Sequence, residues 1–180
     1  MSLRVRTART ADVPAILAIN KRGRPGVSLL SPGDVEAMVR SAECMWVADD
    51  LGGIVGYLIS IASGGRYTGE EYRWFEAQFA TFLYIDQVAV APTHRRVGVA
   101  AALYKRIARL AAERGFDRVG CEVNLRPANP GSLRFHASQG FAMLNSLEVS
   151  DGRMVALMVK AMTRAKSATG RPHARNNSPS

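Results

Sequence analysis

The chain opens on an alternation of apolar and polar residues, "LRVRTA", which is the two-residue period of a short strand. The period then lengthens. "TADVPAILAINKR" spaces its apolar residues three and four apart and predicts a helix, with Thr10 as a candidate N-cap. "GRPGVSLL" is a loop marked by glycine and proline. "SPGDVEAMVRSA" carries a helix start signal: a serine cap, proline at the first helical position and aspartate three residues after the cap. "CMWVADD" and "GGIVGYLISIA" predict a hairpin that turns near Asp49 to Gly53. "FLYIDQVAVAP" is a strand ended by Pro92. In the run that follows, Leu103, Ile107, Leu110 and Ala111 share one helical face, while Lys105, Arg106, Arg109 and Glu113 lie largely elsewhere, and Gly115 supplies the stop. "DRVGCEVNL" predicts a strand. "NPGSLRFHASQG" predicts a short helix capped by Asn129, with Pro130 first and Gly140 beyond the end. "FAMLNSLEV" and "RMVALMVKAM" read as closing strands.

The resulting order, β-α-α-β-β-(α)-β-α-β-α-β-β, combines hairpins with one β-α-β crossover. It predicts an α/β (α+β) fold in which one mixed sheet is covered by helices. The bracketed helix lies in "SGGRYTGEEYRWFEAQFAT", which is long for a hairpin connection and holds Tyr67, Tyr72, Trp74, Phe75 and Phe79.

Composition narrows the class. A chain of 180 residues with 47% hydrophobic and 22% charged residues suits one globular domain. No run of about 18 apolar residues predicts a membrane helix, and "MSLRVRTART" lacks the apolar segment of a signal peptide, so a cytoplasmic location is expected. Cys44 and Cys121 sit in apolar, strand-like stretches and read as buried thiols. The three histidines show no metal-ligand spacing. The net charge of +9 raises nucleic acid as a partner, but Arg164, Lys166, Arg171 and Arg175 contribute four of those charges within a polar end. Residues 163–180 therefore read as a basic disordered tail after a domain spanning 1–162.

Between Val90 and Ala100 the strand ends, Arg95 and Arg96 follow, and a helix begins near Gly98. The first amides of a helix lack internal partners and its dipole adds positive charge, so a phosphate or pyrophosphate suits this place. A plain helix start with solvated arginines would have the same composition. The Gly-Lys-Ser/Thr of a P-loop and the Gly-x-Gly-x-x-Gly of a dinucleotide fold are both missing here.

"RRVGVA" resembles the Arg/Gln-x-x-Gly-x-Gly/Ala signature of the GNAT N-acetyltransferases, with Arg95, Gly98 and Ala100 at the defining positions. "VAVAP" before it, "CEVN" after it, and "NPGSLRFHASQGF" in place of Asn-x-x-Ser/Ala-x-x-x-Tyr-x-x-x-Gly-Phe agree in order and spacing. "YRWF" and "YIDQVAV" look like a little-characterised bacterial branch of that superfamily. The resemblance implies the GNAT fold: a mostly antiparallel sheet of six to seven strands flanked by helices, with strands 4 and 5 parallel. It also implies acetyl-CoA as cofactor and a primary amine of a small molecule or peptide as acceptor, with a homodimer as a common state.

The same resemblance implies roles for named residues. Val88, Ala89 and Val90 would offer backbone groups to the pantetheine arm. Arg95, Arg96, Val97, Gly98, Val99 and Ala100 would hold the pyrophosphate. Asn129 would lie near the pantetheine or acetyl group, or serve only as a cap. His136 stands where most of the superfamily has the tyrosine that protonates the leaving thiolate, so it is either that donor or a packed side chain. From its place amid apolar neighbours on the Val88–Val90 strand, Asp86 is the first candidate base or else a structural hydrogen-bonded carboxylate, and Glu122 is the second candidate base. By a period of two, Asp86 shares a face with Tyr84, Val88 and Val90. Tyr67, Tyr72, Trp74 and Phe75, with Glu70, Glu71 and Glu76, either form a wall for a cationic amine or pack as extra core. The rival functions are an acyl-CoA-binding or sensing module without catalysis, suggested by the missing tyrosine, and a nucleic-acid-binding protein, suggested by the charge.

Overall fold

A computed structural model of the chain describes residues 3–40 and 45–162. The elements follow the predicted order: β1 (Arg4–Thr7), α1 (Val13–Gly23), α2 (Pro32–Arg40), β2 (Met45–Asp50), β3 (Gly53–Ala62), α3 (Glu70–Gln78), β4 (Leu83–Val90), α4 (Val99–Glu113), β5 (Arg118–Arg126), α5 (Pro130–Ser138), β6 (Ala142–Glu148) and β7 (Met154–Ala161). The strands form one seven-stranded sheet in the order β1-β2-β3-β4-β5-β7-β6. Every neighbouring pair is antiparallel except β4 with β5. Cys44 and the expected tail at 163–180 lie outside the described residues.

Each face of the sheet is closed by helices. On one face α4 presents Leu103, Ile107, Leu110 and Ala111 to a core that includes Leu58, Ile85 and Val119, and α5 adds partly buried Leu133 and Phe135. On the other face α1 and α2 cover Val47, Tyr57 and Ile59. α3 covers the neighbouring region with Tyr72 and Phe75, packed on Phe82, Tyr84 and Leu157. The long aromatic connection is thus an amphipathic helix whose apolar side is core.

Local chemistry explains the boundaries. Ser31 and Asp34 cap α2 reciprocally: Asp34 N donates to Ser31 Oγ at 3.2 Å and Ser31 N to Asp34 Oδ2 at 3.0 Å. The expectation for Thr10 is corrected, because Thr10 opens a 3-10 turn, Thr10–Asp12, and Asp12 precedes α1. The Asp12 carboxylate takes two hydrogen bonds from Arg6 on β1, at 2.7 and 2.9 Å, and one from Arg9 N at 2.7 Å. Arg6 in particular holds it below the usual carboxylate range. At the far end of α4, Phe116 N donates to Ala111 O at 2.9 Å past Gly115, whose φ of 73° suits glycine. Cys121 is a free, buried thiol.

α3 approaches β5 closely at Gly120, where an added Cβ would lie 2.6 Å from the Phe75 ring. Gly120→Val is expected to destabilise the protein by about 1–3 kcal/mol through overpacking, measured as a lowered urea midpoint with an unchanged slope.

Candidate active site

Strands β4 and β5 pair only from Leu83 with Val119 to Ile85 with Cys121. Beyond that point β4 runs on to Val90 and β5 to Arg126 with no ladder between them. Backbone groups on the facing edges of Gln87–Val90 are therefore available to a ligand. The gap belongs to a cavity of about 630 Å³ whose walls include Ile85–Val90 and Cys121–Asn124. A second feature works at the same place. Ile59 pairs with Gln87 and Ser60 with Ile85, so Asp86 is an extra residue bulged out of β4. The bulge breaks the expected alternation. Ile85, Val88 and Val90 pack toward α4, whereas Tyr84 and Ala89 pack toward the opposite helices. Asp86 consequently does not share a continuous period-two face with Val88 and Val90.

Two carboxylates meet where the strands part. Asp86 accepts a hydrogen bond from the Tyr67 hydroxyl, and Glu122 accepts one from the Tyr84 hydroxyl. Both lie on the α3 face, and both are partly exposed on the cavity wall. Burial raises the Asp86 carboxyl above its ordinary range. The Glu122 carboxyl is pushed up to about 8, by burial first and by the charge of Asp86 second. Glu71 from α3 adds negative charge and is paired with Arg153 at 3.2 Å. Arg153 is also held by Asp151 at 2.7 Å and by Asn124 Oδ1 at 3.2 Å.

His136 lies on the opposite side of the gap and is 3% exposed. Its Nδ1 is 2.8 Å from Ser132 O, and its Nε2 is 2.6 Å from the Tyr104 hydroxyl. A carbonyl can only accept, so Nδ1 carries the hydrogen. Burial lowers the pKa of the ring and favours the neutral form. Nε2 is then an acceptor, and Tyr104 O–H donates to it. In this arrangement the ring has no free proton to deliver.

At the other end of the gap the chain turns into α4. Arg96 has φ 62° and Gly98 has φ 92°, two left-handed residues within three positions. The first main-chain bond of the helix runs from Ala102 N to Gly98 O at 3.0 Å, which leaves the amides of Val99, Ala100 and Ala101 ahead of the first turn. A Cβ on Gly98 would meet nothing within 4 Å, so the helix entrance is open. Arg95 lines the cavity and its Nε donates to Val90 O at 3.4 Å, while Arg96 and Val97 are exposed beside it. Free amides, a left-handed turn and two guanidinium groups at an open helix entrance suit a pyrophosphate group, and the unpaired edge of β4 suits an amide-bearing arm.

Of the residues selected from the sequence, Asp86, Glu122, His136, Asn129, Arg95, Tyr67 and Val88–Val90 line this single cavity. Asn129 does cap α5, accepting from Ser132 N at 3.1 Å, and it lines the cavity as well. The aromatic wall contracts. Tyr72 and Phe75 are fully buried in the core beneath α3, and Trp74 packs edge-on against Phe75 and Phe79. None of the three lines the cavity, and Tyr67 alone of the four does so, accompanied by Glu71. Glu70 instead accepts hydrogen bonds from Ser150.

Sequence reading missed a buried polar network. Asn20 of α1 donates to Ser28 O at 2.9 Å, to the Tyr57 hydroxyl at 2.8 Å and to Gln87 Oε1 at 3.3 Å, and it accepts from Leu30 N at 3.0 Å. Tyr57 also donates to Gln87 at 3.0 Å. The network fastens the loop after α1, which forms another cavity wall, to the residue next to Asp86. The only hint in the sequence is an asparagine near the end of an amphipathic helix.

A model of the acetyltransferase (GNAT) family matches residues 18–141, well over half the chain, and the chain belongs to that family. Among solved structures, Ard1 from Thermoplasma volcanium is similar with a TM-score of 0.73 and 20% identity, over 91% of this chain and 100% of that one. Naa20 from Chaetomium thermophilum, in complex with a bisubstrate analogue, has a TM-score of 0.72 and 21% identity over 88% of this chain and 86% of that one. N-acetylglutamate synthase from Neisseria gonorrhoeae, complexed with coenzyme A and N-acetyl-glutamate, has a TM-score of 0.69 and 18% identity over 91% of this chain and 36% of that one. At these identities the likeness is one of fold. A search of curated proteins gives no match.

Replacing Asn20 by leucine leaves the Leu30 amide and the Ser28 carbonyl without their partner. Ser28 is exposed and Leu30 half-buried, so water can replace part of what is lost, and Asn20→Leu is expected to cost about 1–3 kcal/mol in all. Hydrogen exchange should show the Leu30 amide losing protection before the strands do.

Proposed function

We propose that the protein is an acetyl-CoA-dependent N-acetyltransferase that acylates a primary amine of a small molecule or peptide. The observation that carries this is the single gap between β4 and β5, with an anion-suited helix entrance at one end and a carboxylate pair at the other. Acetyl-CoA, when bound, supplies the acetyl group as an activated thioester. Arg95, Arg96 and the free amides at the start of α4 hold its pyrophosphate, and the edge of β4 at Val88–Val90 beyond the β5 ladder holds its pantetheine arm. The coenzyme A and bisubstrate complexes of the structural neighbours support that assignment.

The acidic end receives the amine. An alkylammonium has a pKa of about 10.4 and must lose a proton before it can attack. Asp86, held by Tyr67, attracts the cation. Glu122 takes the proton, directly or through one water, because its raised pKa makes it a competent base near neutral pH. Tyr67 and Glu71 form the wall that the amine passes. A second possibility, an acyl-CoA-binding module without turnover, draws on the engaged state of His136. Release of thiol from acetyl-CoA on adding an amine panel separates the two.

Two sets of variants test the assignment. Gly98→Glu should weaken acetyl-CoA binding about 100-fold or more, because a carboxylate would stand where the phosphates sit. Gly98→Asn, which tolerates positive φ, should lose far less. A nucleic-acid ligand would instead show steep salt dependence that is indifferent to Gly98.

The second set concerns Glu122, which faces Asp86, Tyr84 and Glu71, with Arg153 as the nearby cation. With a base titrating at about 8, kcat/KM should rise with pH and level off above that value. Glu122→Gln should lower kcat/KM about 100-fold and abolish that limb. Stability carries the same signature. The folded pKa lies above the ordinary value of 4.5, so the favourable contribution of the protonated acid is complete below 4.5 and is lost as pH rises through about 8. Glu122→Gln should therefore gain stability over the wild type as pH goes from 5 to 9, measured by urea unfolding.

A further inference from the structure

A second cavity, of about 350 Å³, lies on the α4 face behind the first. Ala101, Ile107 and Ala108 of α4, Val119 of β5 and Phe141 make its apolar lining, and Lys105, Gln139 and Lys160 are its polar members. Ile85 and Tyr104 belong to the walls of both cavities. They stand at the apex of the gap, since Ile85 is the last residue of β4 paired with β5 and the next residue is Asp86. The acids and Tyr67 occupy the α3 face at that level, which leaves the α4 face for the carbon chain of an acyl group held there.

That route is shut by Tyr104. The side chain is 5% exposed, its hydroxyl is pinned to His136 Nε2 at 2.6 Å, and its ring is wedged edge-on against Phe135 and Phe141 at centroid distances of 5.1 and 5.8 Å. Building on the acetyltransferase function proposed above, we infer that Tyr104 is the residue that limits the acyl donor to short chains, and that the apolar cavity behind it is a latent site for a longer acyl tail. His136 acts here as a positioning residue, through its hydrogen bond to Tyr104.

The test compares acetyl-, propionyl-, butyryl- and hexanoyl-CoA, by calorimetric binding without an amine and by kcat/KM with one. Hexanoyl-CoA should be poorer than acetyl-CoA by about 100-fold with the wild type, the discrimination a filled pocket gives against extra methylenes. Tyr104→Ala should narrow that ratio to about tenfold or less. Tyr104→Leu and Ile85→Ala open the same wall with smaller loss of core, so they decide the matter if the alanine variant does not fold. Adding Ala108→Phe to Tyr104→Leu should fill the cavity from the far side and restore discrimination. Equal binding of acetyl- and hexanoyl-CoA by the wild type, or an unchanged length profile in folded Tyr104 and Ile85 variants, overturns the role of Tyr104 and leaves the acetyltransferase function standing. A wild type that binds none of the thioesters overturns both.

Discussion

Three residue pairs decide what this molecule is. β4 and β5 hold together from Leu83–Val119 to Ile85–Cys121 and then separate. A central sheet normally satisfies every backbone group within its ladders. Here the ladder stops in the middle of the domain, and the chain surrounds the opening instead of closing it. The bulge at Asp86 helps to force the separation, because an unpaired residue adds local twist and turns a carboxylate away from the regular pleat. Glu122 follows Cys121 directly, so the first positions beyond the last pair are both acids. Two carboxylates cannot be packed dry against each other without one taking a proton. The opening sets them on a cavity wall where burial raises both and pushes Glu122 up to about 8, and the tyrosines at 67 and 84 satisfy them from the protein side.

The rest of the fold holds that opening in shape. α4 and α5 brace the side that carries Tyr104 and His136, and α3 braces the side that carries the acids. The loop after α1 is tied to β4 through Asn20, Tyr57 and Gln87, all nearly inaccessible to solvent. The network anchors the loop through three nearly inaccessible side chains, which restricts where it can sit. The cavity is thereby fixed on its walls by rigid elements, which is what a site needs if it is to hold two reactants in register.

The sequence was informative where one residue type does one local job. Ser31 with Asp34, Asn129 with Pro130, and the glycines at 98 and 115 marked helix ends that the structure reproduces. The element order and the parallel pair followed from patterning and from the family resemblance. What failed was anything that depends on pairing between distant segments. Period-two counting was right to group Asp86 with Tyr84 but wrong to add Val88 and Val90, because a bulge is defined by the partner strand, here Ile59 and Ser60, and leaves no mark on β4 itself. Thr10 looked like a cap because it heads the amphipathic run, but it opens a 3-10 turn, and Asp12, which precedes α1, is held by Arg6 from a strand outside the helix. The aromatic stretch divided between core and cavity according to helix phase. Tyr72 and Phe75 turn inward, whereas Tyr67 precedes the helix and reaches Asp86. The Asn20 network joins residues 67 positions apart and is invisible to any local window.

His136 stands where the family resemblance leads one to expect a tyrosine. A tyrosine there would present a hydroxyl that can give a proton. The shorter imidazole is held at both nitrogens, with Nδ1 donating to Ser132 O and Nε2 accepting from Tyr104. The hydroxyl at Nε2 therefore belongs to Tyr104, with its hydrogen pointing at the ring, while the Ser132 hydroxyl lies 3.3 Å from Nδ1. Burial pushes the pKa of that phenol well above 10, so it resists becoming a phenolate. Neither member of the pair is poised to release a proton, and on the proposed function the leaving thiolate must be neutralised by solvent or by the proton that the attacking nitrogen sheds. On that function the pair makes a fixed, partly apolar floor beneath the acyl group, and chemistry at the acids and selection at the floor would be separate properties, carried by opposite faces of one interrupted sheet.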